Sequence, residues 1–168
     1  MVQLKRRSKD QSKASDEYGT PEWLFDVLNE EFNFRLDVCA SHENHKCSFY
    51  YTEAIDGLDH SNPWTSSNFC NPPYSNILPW YQRGNLERDA CNLTTVYLSK
   101  FDPSTAHGRL LSQEADELRI IEHRIKFEGA TNCANFPSVI GVVRPRLYAR
   151  KSGPLISFVD FREYLKGN

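Results

Sequence analysis

The sequence lacks any long apolar run. None of its 168 residues belongs to a stretch near the roughly 18 apolar residues that a membrane-spanning helix needs, and the mean hydropathy is −0.60. The first ten residues, MVQLKRRSKD, are basic with no apolar segment after them, which is not the pattern of a secretory signal. We therefore expect a cytoplasmic protein with no membrane association.

The sequence also lacks a large excess of either positive or negative charge. Lys and Arg number 20 against 22 Asp and Glu, so the formal net charge is only −2. Together with a hydrophobic fraction of 39%, this balance excludes a disordered chain and a generally basic one. Any contact with nucleic acid must therefore depend on local basic patches.

The cysteines do not form the pattern of a disulfide framework, because they are odd in number and scattered. They are Cys39, Cys47, Cys70, Cys91 and Cys133. A zinc site is a competing interpretation of one short segment, which contains Cys39, His42, His45 and Cys47. Structural zinc sites separate their ligand pairs more widely than this segment does. We predict reduced thiols and no metal.

Two common enzyme signatures are absent as well. The sequence contains no Gly-x-Ser-x-Gly element, so hydrolase chemistry with a serine nucleophile has no support. It contains no P-loop, so nucleotide hydrolysis has none either.

The chain has the length of one domain. Residues 1–15 form a polar, basic leader that we expect to be flexible, serving as a solubility tail or as an arm that contacts phosphates. Residues 16–168 are the predicted folded domain. The sequence does not determine the oligomeric state, and a monomer or a weak dimer is compatible with it.

Helical and strand patterns alternate along the domain. Helices are predicted over 21–31, with Thr20 as the N-cap and Pro21 in the first turn, over 76–90, and from Ser104 to about Glu117. Strands are predicted over 34–38, 68–70, 93–98, 118–121, 125–127, 139–143 and 154–158. This order predicts an α/β fold with a mostly parallel sheet and an antiparallel edge.

One tetrapeptide stands at a position suited to chemistry. Asn71-Pro72-Pro73-Tyr74 directly follows the apolar strand Asn68-Phe69-Cys70. A rigid proline turn with a capping Asn would explain the composition alone. Ligands of open α/β sheets, however, bind at the carboxyl ends of strands.

This sequence resembles the compact, phage-type, Dam-like N6-adenine DNA methyltransferases, over about Tyr18 to Val143. The specific element is Asn71-Pro72-Pro73-Tyr74, and weaker ones are Gly19–Trp23, Leu36–Ser41, Asp56–Leu58, Arg124–Phe127 and Asn135–Ser138. The resemblance implies a Rossmann-like fold in a minimal single domain, S-adenosylmethionine as cofactor and DNA as partner. It also implies a cytoplasmic setting in a bacterium or a virus-infected host cell, with viral or host DNA as the target.

The chemistry explains why these residue types suit that reaction. The exocyclic nitrogen of adenine is a poor nucleophile because its lone pair is delocalised into the ring. Hydrogen bonds from the amine to the Asn71 carboxamide oxygen and the Pro72 carbonyl would direct that lone pair at the sulfonium methyl group. Pro73 restricts the backbone of Pro72, and Tyr74 would stack on the extruded base.

The resemblance assigns the cofactor to residues earlier in the chain, in the Thr-Pro element, at the end of the first strand and in an Asp-x-Leu element. By position, Thr20, Pro21 and Asp37 would hold the methionine end, with Ala40 and Ser41 permitting close approach. Asp56 would accept a hydrogen bond from the adenine amine of the cofactor, although Asp56-Gly57 also fits a simple turn.

The sequence departs from the family pattern after Asp37. Cys39-Ala40-Ser41 stands where a Gly-x-Gly loop is expected. The few residues between Asp37 and Asp56 also leave little room for a second strand that carries a separate ribose-binding acid. Asp37 therefore ends either the first or the second strand of the family pattern, and we prefer the first.

The substrate contacts predicted from the sequence are Phe136 and Arg83. Phe136 is a candidate second stacking wall, with a core phenylalanine as the alternative. Two basic clusters are candidate phosphate contacts, with solvated faces as the alternative. The first is Arg83 with Arg88 on the same helix, and the second consists of Arg144, Arg146, Arg150 and Lys151.

We conclude that the sequence predicts an adenine-specific DNA N6-methyltransferase that uses S-adenosylmethionine. No segment is long enough for a separate target-recognition domain, so specificity should be short or relaxed. Two alternatives remain at this point. One is a methyltransferase acting on a glutamine side chain or an RNA base, since both present a planar amino group, and the other is an inactive nucleic-acid-binding module.

Overall fold

A computed structural model describes residue 16, residues 18–148, residue 150 and residues 152–164; the leader over 1–15 lies outside these. The helices of this part are α1 (Glu22–Phe32), α2 (Leu78–Cys91) and α3 (Ala106–Glu114). Its strands are β1 (Leu36–Asp37), β2 (Ser67–Cys70), β3 (Thr94–Lys100), β4 (Glu117–Ile121), β5 (Ser138–Val143) and β6 (Leu155–Val159). None of these helices is long and apolar enough to cross a membrane.

The six strands form one mixed sheet in the order β1-β2-β3-β5-β4-β6. Neighbours β1 and β2, β2 and β3, and β4 and β6 are parallel, whereas β5 runs antiparallel to both β3 and β4. The mostly parallel α/β fold is thereby confirmed. The antiparallel strand, however, lies inside the sheet and not at its edge. All six residues of β5 are buried, so this strand needs a partner on each side.

Helices cover both faces of the sheet. Phe69 of β2 packs edge-on against Phe25 of α1, with the ring centroids 5.3 Å apart. Tyr97 of β3 packs against Tyr81 of α2 at 4.6 Å. Tyr97 is in register with Cys70, the neighbour of Phe69, and successive residues of a strand face opposite sides. The two helices therefore lie on opposite faces, as expected of a Rossmann-like fold.

Several element boundaries differ from the prediction. Pro21, not Thr20, precedes α1, and its carbonyl accepts hydrogen bonds from the backbone of Leu24 and Phe25. Thr105, not Ser104, caps α3, its hydroxyl accepting from the Gly108 amide at 3.1 Å. The predicted strand over 125–127 is wrong. It is part of a loop in which only Glu128 forms a bridge, with Gly19.

The carboxyl ends of five of the six strands, all but β5, lie at one edge of the sheet. Since β1, β2, β3 and β4 share one direction, the segments that follow them gather there. These segments are 38–48, 71–77, 101–105 and 122–137. This carboxyl edge carries, among the residues that the sequence predicted for the site, Asp37, Ala40, Ser41, Asn71–Tyr74 and Phe136, but not Arg83.

Candidate active site

Asn71 is the first residue after β2, and its carboxamide has a defined orientation. Its Nδ2 donates a hydrogen bond to the Tyr18 carbonyl oxygen at 3.1 Å. The Oδ1 atom is therefore the remaining acceptor. No hydrogen bond to the Pro72 carbonyl is formed within the described ranges either. Two adjacent residues at the carboxyl edge thus each carry an oxygen acceptor, on a backbone restricted by two prolines.

The chain segment before α1 crosses this edge and fixes the tetrapeptide. The carboxylate of Asp16 accepts from the Ser75 amide at 3.0 Å, and Tyr18 holds Asn71. Gly19 pairs with Glu128 through two backbone hydrogen bonds, of 3.2 and 2.9 Å. No local sequence pattern predicted this arrangement, because only the fold brings together residues so far apart in the chain.

Tyr74 is buried, with 7% of its surface exposed. Its ring meets Phe127 and Phe136 edge-on, at centroid distances of 5.8 and 5.2 Å. Its hydroxyl is buried with no hydrogen-bond partner among the described residues. Desolvation raises the pKa of this phenol well above its usual value. The Tyr74 ring thus forms an aromatic cluster with Phe127 and Phe136, and its stacking on a base stays a prediction.

Phe136 packs as a core aromatic and also lines a surface groove, whereas its stacking on the target base stays a prediction. It is half-buried and packs against Tyr74, as a core aromatic would. It also lines an open groove of about 340 Å³ between the end of β3 and the segment 135–137. The Phe136 ring therefore connects Tyr74 of the tetrapeptide with a surface groove.

Asp37 ends β1, directly beside the strand that carries Asn71. It is 3% exposed, and its carboxylate accepts hydrogen bonds from the amides of Cys39 at 3.3 Å and Lys46 at 3.1 Å. These bonds do not offset desolvation, which raises its pKa to about 6. Because β1 pairs with β2, the topology favours the first of the two strand assignments considered for Asp37.

The segment after Asp37 is held by an ion-pair network instead of a glycine-rich turn. Lys46 is buried, and its Nζ lies 2.6 Å from Glu22 of α1 and 3.0 Å from Glu128. The backbone of Ala40 donates to the Tyr51 carbonyl at 2.9 Å, which keeps the segment against β1. The Ser41 hydroxyl is engaged locally, accepting from Glu43 at 3.1 Å. Nothing in the local sequence predicted the role of Lys46.

Thr20, Pro21 and Asp56 reach the same edge. Thr20 is 2% exposed and Pro21 is buried, immediately before α1. Asp56 is exposed, adopts a left-handed backbone with φ of 58°, and accepts from the Leu58 amide at 2.9 Å, which is the geometry of a turn. A Cβ on Gly57 would lie 2.1 Å from the Val38 carbonyl, so only glycine lets this turn approach the end of β1.

The structure corrects the assignment of Arg83. Its side chain is 3% exposed, pairs with Glu87 at 2.5 Å, and donates to the carbonyls of Leu58 and Asn62 at 3.2 Å each. It also lies over the ring of Trp64 at 5.9 Å. Arg83 therefore joins α2 to the segment after the Asp56 turn, and it is not available to a DNA phosphate.

This correction predicts a stability effect. Because Glu87 and two carbonyls would lose a buried partner, Arg83→Ala should lower the free energy of unfolding by about 3 kcal/mol. Chemical denaturation measures this change. Arg35→Ala, which removes an exposed cation from the opposite end of β1, should have little effect. An unchanged stability together with weaker binding to DNA would restore the phosphate contact.

The other basic clusters are largely neutralised by carboxylates. Arg88 is 1% exposed and pairs with Glu114 at 2.8 Å. Arg144 pairs with Glu117 at 2.5 Å, and Arg146 with Asp89 at 2.8 Å. Lys151 lies outside the described residues. In contrast, Lys100, Arg124 and Lys126 form no ion pair within the described part of the chain. These three cations follow the ends of β3 and β4.

The residues of the competing zinc interpretation do not converge. The ring of His42 bonds the Tyr50 hydroxyl at 2.9 Å, and the ring of His45 stacks on Tyr50 with centroids 4.0 Å apart. The described residues contain no group of three or more acidic, His or Cys side chains placed to hold a metal ion.

Comparison with known proteins identifies the family. A family model described as DNA N-6-adenine-methyltransferase (Dam) matches residues 7–160. A DNA N-6-adenine-methyltransferase of Haemophilus phage HP1 is 30% identical over 169 residues, which cover 93% of this chain and 96% of that protein. Putative methyltransferase YfdM of Escherichia coli K12 is 32% identical over 89 residues, covering 48% of this chain and 91% of that protein. The chain therefore belongs to the DNA N-6-adenine-methyltransferase (Dam) family and is an enzyme that methylates the N6 amino group of adenine in DNA.

Proposed function

We propose that the carboxyl edge of the sheet holds both reactants, with the methyl donor at the end of β1 and the target adenine at the end of β2. The family implies S-adenosylmethionine as the donor and DNA as the substrate. It also favours DNA over the glutamine side chain and the RNA base considered from the sequence. The observation that carries the proposal is the orientation of Asn71, whose Nδ2 is occupied by Tyr18 while its Oδ1 is not.

The residues at and near the end of β1 suit this cofactor. Asp37 and Asp56 are carboxylates, which suit the hydroxyl and amino groups of the nucleoside and the positive charges near the sulfur. The raised pKa of Asp37 shows that its charge is poorly compensated without a ligand. At the start of α1, after Thr20 and Pro21, the Glu22 amide donates to the Glu128 carboxylate at 3.2 Å, and the carboxylate of the methionine part would have to replace Glu128 there. When bound, the cofactor supplies an electrophilic methyl group on a cationic sulfur.

The chain's own groups would act on the acceptor. Asn71 Oδ1 and the Pro72 carbonyl accept the two hydrogen bonds of the adenine amine, which turns the nitrogen lone pair away from the ring and towards the methyl carbon. The methyl group for the new C–N bond would come from the bound cofactor, which would leave as the neutral thioether, and the proton lost from the amine would pass to solvent. Since Asn71 does not titrate, it accepts these bonds over the whole neutral pH range.

Sequence specificity follows from what surrounds this site. We propose that the enzyme recognises a short or relaxed sequence, because the described residues form one sheet with its helices and connecting loops, without a further recognition domain. Base contacts must then come from loops at the carboxyl edge.

This proposal predicts methylation of many different duplexes. Incubation with labelled methyl donor and a randomised duplex library, followed by sequencing for N6-methyladenine, should show adenine methylation with at most a few fixed neighbouring positions. A synthetic duplex without adenine is the control. A requirement for a long, strictly defined site would contradict the proposal.

A further inference from the structure

We propose that the groove at the end of β3 binds the nucleotide that neighbours the target adenine, with Lys100 on its phosphate and Asn135 on its base edge. This inference rests on the proposed function and adds to it the residues that set sequence preference. Lys100 and Asn135 lie on opposite walls of the groove, whose volume is about 340 Å³.

The groove is a built feature of the fold. Its base is the end of the β3–β5 pair, where Lys100 is in register with Ser138. The two walls are joined by a hydrogen bond of 3.1 Å from the Phe101 amide to the Pro137 carbonyl. The walls are therefore held at a fixed separation, which recognition of a base edge requires.

The position of the groove connects it to the catalytic tetrapeptide. Phe136 lines the groove and also packs against Tyr74 at a centroid distance of 5.2 Å. The Phe136 ring thus connects the groove directly to Tyr74 of the tetrapeptide. A strand whose adenine is extruded towards Asn71 passes this place with its neighbouring nucleotide.

The groove's chemistry suits a nucleotide. Lys100 forms no ion pair within the described ranges, so its charge is available to a phosphate. Asp102 also lines the groove and keeps its negative charge there. Hydrogen bonds from the Ser104 hydroxyl at 2.6 Å and the Ser104 amide at 2.9 Å, together with the charge of Lys100, lower its pKa, although it lies beyond ion-pair distance of Lys100. Asn135 is exposed, and a carboxamide presents a donor and an acceptor to a base edge.

Two variants with matched controls test the assignment. Lys100→Ala should raise the Kd for duplex DNA about tenfold for all sequences, and should reduce the slope of log K against log salt by about one. Asn135→Ala should reduce the preference at one position beside the target by about tenfold in the duplex library. Arg35→Ala and Gln113→Ala remove an exposed cation and an exposed amide elsewhere and should leave both measurements unchanged.

The outcomes separate this inference from the proposed function. An unchanged salt slope for Lys100→Ala would overturn the phosphate contact, and a uniform loss for Asn135→Ala, with the sequence profile intact, would overturn the base contact. Binding by fluorescence anisotropy needs no turnover. If Lys100→Ala and Asn135→Ala give the expected changes but Asn71→Ala leaves the rate of methylation unchanged, the groove stands and the proposed placement of the reactants fails.

Discussion

Replacing Asn71 with alanine should lower kcat by about 10²- to 10³-fold, while the affinity for S-adenosylmethionine stays within a factor of two or so. The expected loss is that of removing one fixed acceptor or donor from the reacting group. Cofactor affinity should persist because the proposed donor site lies at the end of β1. Single-turnover methylation and calorimetric titration measure the two quantities.

Further variants of Asn71 separate the acceptor oxygen from the orienting nitrogen. Asn71→Asp keeps an oxygen acceptor but loses the donor that bonds the Tyr18 carbonyl. It should therefore retain more activity than the alanine variant. Gln82→Ala, which removes an exposed carboxamide from α2, is the matched control and should retain full turnover. If Asn71→Ala instead weakened cofactor binding with kcat preserved, the division of the edge into donor and acceptor halves would be wrong.

The tetrapeptide and its place were predictable because both signals are local. An apolar strand followed at once by two prolines defines a strand end, and strand ends in α/β sheets carry sites. The interior position of β5 was not deduced, although its uninterrupted apolar sequence from Val139 to Val143 was a usable signal. Buried strands lack the alternation of half-exposed ones.

Charged residues were the least predictable part of the site. Arg83 has the sequence appearance of a surface cation, and only Glu87, four residues later, indicated an internal ion pair. Lys46 meets Glu22 and Glu128, which lie 24 and 82 positions away in the sequence. Such pairs are created by topology, and one sequence contains no local trace of them.

Replacing Asp37 with alanine should weaken S-adenosylmethionine binding by roughly a hundredfold, and should affect kcat at saturating cofactor much less. The estimate corresponds to the loss of hydrogen bonds to a buried charged group. Asp26→Ala, which removes an exposed carboxylate from α1, is the matched control and should change neither quantity. A loss confined to kcat would contradict the cofactor assignment.

The buried charge of Asp37 also predicts two opposite pH dependences. Its pKa is about 6 in the folded protein against 3.8 for an ordinary Asp, so ionisation costs the folded state on the order of 3 kcal/mol above pH 6. Most of this cost should disappear between pH 6 and pH 4. Without cofactor, the free energy of unfolding of the wild type, measured relative to that of Asp37→Ala, should therefore rise on acidification by most of these roughly 3 kcal/mol.

Cofactor binding should change in the other direction. Below pH 6 the Asp37 carboxyl is protonated, so it can no longer offer a charge to the ligand, and affinity should fall by up to tenfold per pH unit. The Asp37→Ala variant should lack this decline. Because stability and affinity move oppositely in the same protein over the same interval, general acid unfolding cannot produce the pair of results. A cofactor affinity that is flat between pH 5 and pH 7 would remove Asp37 from the binding site.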